Sequence, residues 1–193
     1  MNINDSPYIY NELISEVFNI DGGNSNLTEE FIYHNQPESD LSKIPIFSSS
    51  TLESTKMGYI KKDNSIKSKL KIFNGPCILI ARNGYAGSMQ IIPEIEFTIN
   101  DHAYIIKPKE NWYDKINLHW FKYKYQELFY NLITSKSDNA TFSKEYAEKK
   151  EIEIPDIDIQ NKIAEKLRKI DLIVIKLEEL KKDLLELLEF EIR

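Results

Sequence analysis

The last 38 residues of the chain contain no glycine and no proline, and this run constrains the fold more than any other feature of the sequence. It follows Pro155, which lacks a backbone N–H and biases the residue before it away from helix. Asp156 or Asp158 can accept from the free N–H groups of a first helical turn. The pattern predicts an extended segment that ends at Pro155 and one uninterrupted helix over residues 156–193.

The predicted helix bears an apolar stripe at spacings of three and four residues, close to a coiled-coil seam with one slip near Leu180. A helix of about 35 residues rises roughly 50 Å, more than a domain of the remaining size needs for its own core. We therefore expect it to pair with another helix; the alternative is that it folds back on its own domain. The stripe comprises Ile163, Leu167, Ile170, Val174, Leu177, Leu180, Leu184 and Leu187.

Length and composition are those of one globular domain followed by this helix. Of the 193 residues, 41% are hydrophobic and 29% are charged, an ordinary globular balance. The single cysteine, Cys77, excludes an internal disulfide and a Cys-rich zinc site. The first residues lack the pattern of a signal peptide, and the longest apolar runs are too short to cross a bilayer. We predict a domain over 1–155, a helix over 156–193, and a cytoplasmic protein that does not bind membranes.

The distribution of charge singles out one short stretch. The net charge is −6 and the pI is near 5.2, which alone argues against a protein that binds nucleic acid through its phosphates. However, residues 1–55 carry a net charge of −8, whereas residues 56–82 carry +6. The basic stretch is a candidate anion-binding face, and the alternative is a lysine-rich solvated hairpin.

The order of the apolar runs predicts an α+β domain. Helical spacing predicts helices over 8–20, 114–133 and 144–149, with a polar loop over 24–43 that contains a turn or short strand at 31–33. Between residues 44 and 107, β-rich runs are separated by turn formers, which favours a curved, barrel-like sheet with flanking helices. These runs are 44–48, 57–61, 70–73, 77–82, 88–92, 95–98 and 103–107.

No catalytic or metal-binding motif is recognisable in the sequence. There is no glycine-rich phosphate loop, and His34, His102 and His119 lie far apart without acids at metal-ligand spacing. The acidic pair Asp156 and Asp158 is better explained by helix capping than by nuclease chemistry. We therefore predict a non-catalytic protein with no metal and no cofactor.

Three loops carry side chains that suit nucleic-acid binding. Small hydroxyls occur at 48–51, a glycine-flanked turn presents residues 82–85, and a polar turn spans 100–102. Arg and Asn match the edges of guanine and adenine, whereas Ser, Thr and Lys hold phosphates. For each loop alone, the alternative is a simple hairpin connection.

Together these stretches resemble the target-recognition module of the specificity subunit of type I restriction-modification systems. The resemblance covers roughly residues 8–190, and its most specific part is the entry to the long helix. The matching segments are Ile44-Pro-Ile-Phe-Ser-Ser-Ser-Thr51, Gly58-Tyr59-Ile60, Ile78-Leu-Ile-Ala-Arg-Asn-Gly-Tyr-Ala-Gly87, Phe97-Thr-Ile-Asn-Asp-His-Ala-Tyr104 and Ile152-Glu-Ile-Pro-Asp-Ile-Asp-Ile-Gln-Asn-Lys-Ile163.

The resemblance implies a DNA-reading subunit without catalytic residues. In that family a full subunit carries two recognition domains and two long antiparallel helices, and each domain reads one half of a split target. Such subunits present double-stranded DNA to a separate adenine methyltransferase subunit and, in complete systems, to a restriction subunit. This chain has one domain and one helix, so the resemblance implies a half-subunit that forms a homodimer through the stripe and reads an interrupted palindrome.

The resemblance and the loop chemistry together predict the DNA contacts. We expect Arg82 and Asn83 to set sequence preference and Lys61 and Lys62 to bind the backbone. A contact near Thr141 is carried over from the family, although the link over 138–143 lacks the glycine often found there. The full set is Ser48, Ser49, Ser50, Thr51, Lys56, Tyr59, Lys61, Lys62, Arg82, Asn83, Tyr85, Asn100, His102 and Thr141.

Two other hypotheses compete with DNA reading. The first is a coiled-coil interaction module or anti-restriction mimic that does not read DNA, which the acidic balance favours. The second is a small nuclease or methyltransferase that works as a single chain, which the missing motifs disfavour.

Overall fold

The structure is a computed structural model that describes residues 9–39, 42–49, 57–134 and 140–191, without the side chains of 182, 183 and 186–191. These ranges contain helices, strands and a 3-10 helix at Glu110–Trp112. The strands are β1 (Ile9–Leu13), β2 (Phe18–Gly22), β3 (Lys43–Phe47), β4 (Gly58–Lys61), β5 (Phe73–Asn74), β6 (Cys77–Ala81), β7 (Met89–Ile92), β8 (Glu96–Ile99), β9 (Ala103–Pro108) and β10 (Glu151–Pro155). The helices are α1 (Ile14–Val17), α2 (Glu29–His34), α3 (Asn64–Lys67), α4 (Leu118–Tyr130), α5 (Lys144–Glu148) and α6 (Ile157–Glu191).

The strands form two four-stranded sheets and one two-stranded ribbon. The first sheet has the order β2-β9-β6-β7 and is antiparallel throughout. The second has the order β4-β3-β8-β5, in which β3 and β8 run parallel. The ribbon joins β1 to β10. The prediction of a barrel-like core is therefore wrong in this respect, because β3 pairs with β8 and not with a strand of the first sheet. The β-rich runs divide between two open sheets in a mixed α+β domain.

Strand β6 explains the longest apolar run of the domain, because both of its faces are covered. Successive strand residues point to opposite faces of a sheet. Ile78 and Ile80 pack in the cluster that contains Phe121 of α4, whereas Cys77 and Leu79 pack in a second cluster that contains side chains of β8. A strand that is buried on both faces reads as a continuous apolar segment. The first sheet therefore lies between α4 and the second sheet.

The predicted helix over 8–20 is wrong, since residues 9–22 form β1, the single turn α1 and β2. Strand β1 pairs with β10, and β2 pairs with β9 from Phe18 opposite Pro108 to Gly22 opposite Tyr104. Within this segment only the four residues of α1 are helical, and both of its apolar residues are fully buried. The helical spacing in the sequence thus arises from two strands that expose alternate residues on either side of one helical turn.

A second correction concerns residues 31–33, which belong to helix α2 and not to a turn or strand. The Thr28 side chain accepts from the Phe31 N–H at 3.2 Å and so caps the helix. Ile32 then packs beneath the second sheet against Ile44 and Ile60. The predicted run at 70–73 contributes only the two-residue strand β5.

Most of the remaining elements are confirmed with small shifts at their ends. The predicted helix over 114–133 begins only at Leu118, because the Asn117 side chain caps it by accepting from the Trp120 N–H at 3.0 Å. The runs that form β3, β4, β6, β7, β8 and β9 and the short helix α5 lie within about two residues of their predicted positions.

Helix α6 begins where the sequence predicts, and the described residues show it without interruption to Glu191. Gln160, which is fully buried, fixes its first turn: Nε2 donates to the Lys115 and Pro155 carbonyls at 2.8 Å, and Oε1 accepts from the Asn117 N–H at 2.9 Å. The helix thus starts in firm contact with α4. In the described part of the chain, no helix has the length and apolar content needed to cross a membrane.

Candidate nucleic-acid interface

Three connections between strands meet at one end of the two sheets. They join β3 to β4, β6 to β7 and β8 to β9, and we call residues 48–49, 57, 82–88 and 100–102 the loop cluster. The Ser48 hydroxyl donates to Asn100 Oδ1 at 3.0 Å. The Arg82 N–H donates to the His102 carbonyl at 2.9 Å. These bonds bring together residues that are 20 to 52 positions apart in the sequence.

Asn100 joins these connections from beneath the surface. Only 5% of its surface is exposed, and its Oδ1 accepts from both the Ser48 hydroxyl and the His102 N–H, the latter at 3.2 Å. Its Nδ2 lies 3.4 Å from Met57 Sδ, at the far end of the β3–β4 connection. A buried amide with both ends occupied holds backbone in place. Asn100 therefore supports the loop cluster, and its side chain is not presented at the surface.

Half-buried Asn83 and exposed His102 form a polar pair in the loop cluster. Asn83 Nδ2 donates to His102 Nδ1 at 2.7 Å. Because an amide nitrogen can only donate, this bond places the proton of the neutral imidazole on Nε2. The guanidinium of Arg82 lies beside them, where Nη1 donates to the Asp101 carbonyl at 3.2 Å. Tyr85, at the tip of the same turn, is 73% exposed.

Helix α4 holds the β6–β7 connection in place. Gln126 accepts from the Met89 N–H at 2.9 Å and donates through Nε2 to the Gly87 carbonyl at 3.0 Å. Gly87 has φ of +84°, and a Cβ on it would lie 2.3 Å from the Phe129 carbonyl oxygen. Only glycine permits both this backbone conformation and this close approach. The turn that carries Arg82 and Asn83 is therefore fixed to a rigid helix.

The residues around Thr141 lie against the same turn. The Phe142 N–H donates to the Arg82 carbonyl at 2.8 Å, and the Thr134 N–H donates to the Thr141 carbonyl at 2.9 Å. Phe142 is buried and stacks on Phe129 of α4 at a ring separation of 5.5 Å. The predicted contact residue Thr141, which is half-buried, is thus adjacent to the loop cluster although the link lacks a glycine.

The sequence and the fold of this chain are both similar to those of known proteins. Residues 13–187 match the model of the type I restriction modification DNA specificity domain. The chain belongs to this family. Among curated proteins, none matches this chain significantly.

Solved structures share its fold at low sequence identity. The S subunit of a type I restriction-modification system from M. genitalium aligns with a TM-score of 0.62 at 16% identity, and the HsdS subunit of Thermoanaerobacter tengcongensis with 0.63 at 17%. A chain from a structure on complex assembly and conformational transition of the type I R-M system aligns with 0.68 at 17%. These alignments cover 93%, 93% and 95% of the specificity domain but only 43%, 41% and 43% of the respective structures. The chain therefore spans less than half the length of each.

Other predicted contacts of the specificity domain lie away from the loop cluster. On β4, Gly58 is opposite Ile46 near the cluster, whereas Lys61 is opposite Lys43, about 10 Å further along the strand. Lys61 lies 3.6 Å from Asp63, and Tyr59, between the two ends, lies beneath the Lys43 ammonium at 4.4 Å. Ser49 follows Ser48 and is half-buried. Ser50, Thr51 and Lys56 lie outside the described residues.

Glu96 neutralises two lysines of the basic stretch at that distant end. Its carboxylate lies 2.7 Å from Lys62 Nζ and 2.5 Å from Lys67 Nζ. Hydrogen bonds from Lys62 and then Lys67 hold the pKa of Glu96 below its usual value. The basic stretch is therefore not one continuous cationic face.

Two residues that support the loop cluster, Gln126 and Asn24, were not found by reasoning from the sequence. Gln126 lies on the predicted α4 helix, where a polar residue is usually a solvated one, so no signal marks it. Asn24 follows Gly22-Gly23, and this turn signal could have indicated a close backbone approach. Among the described residues, no group of three or more His, Cys, Asp or Glu side chains is placed to hold a metal ion.

Proposed function

We propose that this specificity domain reads one half of a bipartite DNA target for a separate adenine methyltransferase subunit and, in systems that contain one, for a restriction subunit. The observation that carries the proposal is the group formed by half-buried Arg82 and Asn83 and exposed His102, on a base fixed by Asn100 and Gln126. Direct reading of bases needs donors and acceptors that are held in place before DNA arrives. Membership of the family supports the same assignment.

The chemistry of the pair suits the major groove. The bond between Asn83 Nδ2 and His102 Nδ1 leaves Asn83 Oδ1 as an acceptor and the imidazole Nε2–H as a donor. Arg82 retains guanidinium donors beyond the one bound to the Asp101 carbonyl. One acceptor and several donors on adjacent residues can discriminate base pairs by the pattern of their groove edges. Tyr85 adds an aromatic surface that can contact a thymine methyl group or stack on a base.

Helix α6 supports the proposal that two copies act together. From Ile170 to Leu185 its described apolar side chains are exposed, with exposed fractions of 54% at Ile170, 46% at Val174 and 63% at Leu180. Apolar surface on this scale marks an interaction site. A homodimer through the stripe would be two-fold symmetric, so each copy would read the same half-site on opposite strands, which gives an interrupted palindrome. The side chain of Leu187 lies outside the described residues.

The decisive experiment is co-expression of this chain with the adenine methyltransferase subunit of a type I system, followed by mapping of adenine methylation across the host DNA. We expect one new interrupted palindrome that is absent when the chain is omitted. A new asymmetric motif would show that the chain pairs with a different half-subunit.

The same experiment separates this proposal from its alternative, an interaction module that does not read DNA. If both proteins are soluble and co-purify but no new methylation appears, DNA reading is rejected and the exposed face of α6 remains as the functional surface.

A further inference from the structure

A polar cleft borders the loop cluster on the side of Asn24. It has a volume of about 460 Å³ and lies between the segment after β2 and the segment after α3. Asn24 and Asn100 form an isolated parallel β-bridge. A Cβ atom on Gly23 would lie 1.9 Å from the Asn100 carbonyl oxygen. Two lining residues of the cleft thus contact Asn100 of the loop cluster. The groups in its lining that could meet an anion are on Ser25, Asn26, Lys69 and Lys71, whereas the Ser68 hydroxyl donates to the Ser65 carbonyl at 2.9 Å.

Two asparagines fix the main chain that carries the lysines of the cleft. Asn24 is 6% exposed; its Nδ2 donates to the Lys71 carbonyl at 3.1 Å, and its Oδ1 accepts from the Lys71 N–H at 2.7 Å. The same Nδ2 lies 3.0 Å from Thr98 Oγ1 of β8. Asn26 Nδ2 donates to the Lys69 carbonyl at 3.1 Å. The backbone at Lys71 is therefore held against the second sheet, and the backbone at Lys69 is held against the segment after β2.

The charges of Lys69 and Lys71 are available to an anion, unlike those at the other end of the basic stretch. Lys62 and Lys67 both bind Glu96. In the described part of the chain, Lys69 and Lys71 have no carboxylate partner, both are exposed, and the Lys71 ammonium donates to the Gly22 carbonyl at 3.1 Å. Electrostatic binding of phosphate needs cations that are not already neutralised.

We propose that this cleft binds the phosphate backbone of the DNA whose bases the loop cluster reads, with Lys69 and Lys71 as the phosphate contacts. Ser25 and Asn26 supply neutral donors of the kind that hold phosphate oxygens. The inference rests on the proposed function. It moves the backbone contact from Lys61 and Lys62, which the sequence suggests, to two lysines next to the loop cluster.

The test measures the affinity of the chain, in complex with its methyltransferase subunit, for target and non-target duplexes over a range of salt concentrations. In Lys69→Ala/Lys71→Ala, the slope of log affinity against log salt should become shallower by about 0.9 for each lost phosphate contact. The loss of affinity should be equal on both duplexes, because phosphate contacts carry no direct sequence information.

Two comparison variants make the result specific. Lys122→Ala/Lys124→Ala removes the same charge from α4, which lies on the face of the first sheet opposite the second sheet, and should leave the slope unchanged. Lys61→Ala/Lys62→Ala tests the other end of the basic stretch. Thermal unfolding of each variant verifies that the domain folds.

The outcomes separate this inference from the function on which it rests. An unchanged slope in Lys69→Ala/Lys71→Ala, or a shallower slope only in Lys61→Ala/Lys62→Ala, would overturn the proposal that the cleft binds phosphate. Binding of DNA by the wild-type complex would in that case still uphold DNA reading. An equal change of slope in Lys122→Ala/Lys124→Ala would show that the slope depends only on the net charge of the domain. That result would also overturn the proposal that the cleft binds phosphate. Absence of DNA binding by the wild-type complex would reject both proposals.

Discussion

At the scale of single residues, Asn83 and Asn100 show how one residue type serves two purposes in the same cluster. Asn100 is buried, and both ends of its amide are occupied. Asn83 is half-buried and uses only Nδ2, in its bond to His102. Removal of the first should disturb the β3–β4 and β8–β9 connections at once, whereas removal of the second should alter only what the surface presents to DNA.

We expect Asn83→Ala to relax base preference at one or two positions of the target while the domain stays folded. A well-formed contact between a side chain and a base edge contributes about 1–3 kcal/mol of discrimination. The measurement is methylation mapping of the co-expressed variant, with Asn111→Ala, an exposed asparagine of the 3-10 helix, as control. An unchanged motif in Asn83→Ala would remove Asn83 from the reading surface.

Glu96 should make stability depend on pH. Its two lysine partners lower its pKa in the folded state, so its contribution is present above the unfolded carboxylate pKa and is lost as pH falls through the folded value. We expect Glu96→Gln to lower the free energy of unfolding by about 0.5–1 kcal/mol at pH 7, a modest loss because the pairs are partly solvated. Urea unfolding at pH 7 and at about pH 3 tests this.

The control for this effect is Glu94→Gln, an exposed carboxylate two residues earlier. The difference between Glu96→Gln and wild type should shrink as the pH falls through the lowered folded-state pKa of Glu96, because the carboxylate is then protonated in both states. A difference of the same size at both pH values would mean that Glu96 acts through packing instead of through its charge.

At the scale of secondary-structure elements, what the sequence predicts depends on how local the cause is. The long helix follows from the absence of glycine and proline after Pro155, and β6 follows from an apolar run; both are confirmed. Residues 9–13 and 18–22 are strands instead of helix because β1 and β2 find partners more than 80 residues away in β10 and β9. Helical spacing cannot reveal such partners, since strands around one buried turn produce the same pattern.

The clamp between α4 and the β6–β7 connection supports a prediction about Gln126. Gln126→Glu keeps the acceptor for the Met89 N–H but replaces the donor to the Gly87 carbonyl with a charged oxygen. Repulsion should loosen the turn at pH 7 and relax base preference. Because a protonated carboxyl can donate again, discrimination should recover as the pH is lowered toward 5.

Binding of target and non-target duplexes at the two pH values provides the measurement. Glu127→Gln, on the exposed side of the same helix, is the matched control and should behave like wild type at both. Equal discrimination by Gln126→Glu and wild type at pH 7 would show that α4 does not position the turn for reading.

At the scale of the whole molecule, the distal half of α6 is the most exposed apolar surface of the described chain and supports a prediction about assembly. We expect wild type to have twice the chain mass of 22.7 kDa and Leu177→Glu/Leu180→Glu to be monomeric, as measured by light scattering. Domain stability should change by less than about 0.5 kcal/mol, because both side chains are about 60% exposed.

Glu178→Gln/Glu179→Gln changes the same turn without adding charge to the stripe and should remain dimeric. A dimeric Leu177→Glu/Leu180→Glu variant would show that the stripe is not the interface. A monomeric wild type would contradict the homodimer itself.

The candidate site could be predicted from the sequence only as separate loops. The residue types at 48–49, 82–85 and 100–102 are recognisable because Arg, Asn and Ser have definite hydrogen-bonding chemistry. That these loops meet, that Asn100 is buried beneath them, and that Glu96 neutralises Lys62 all depend on the pairing of β3 with β8. This parallel pairing joins segments about 50 residues apart, and no local pattern encodes it.

The backbone bonds within the β6–β7 turn bear on how new DNA targets arise. The Gly87 N–H donates to the Ala81 carbonyl at 2.8 Å, and the Ser88 N–H donates to the Tyr85 carbonyl at 2.9 Å, so the side chains of Asn83 and Tyr85 take no part in closing the turn. We therefore expect mutations at these two positions to leave the domain folded. A lineage could drift through many target preferences there without losing the protein, and a combinatorial library randomised at the two codons would explore the same space in the laboratory.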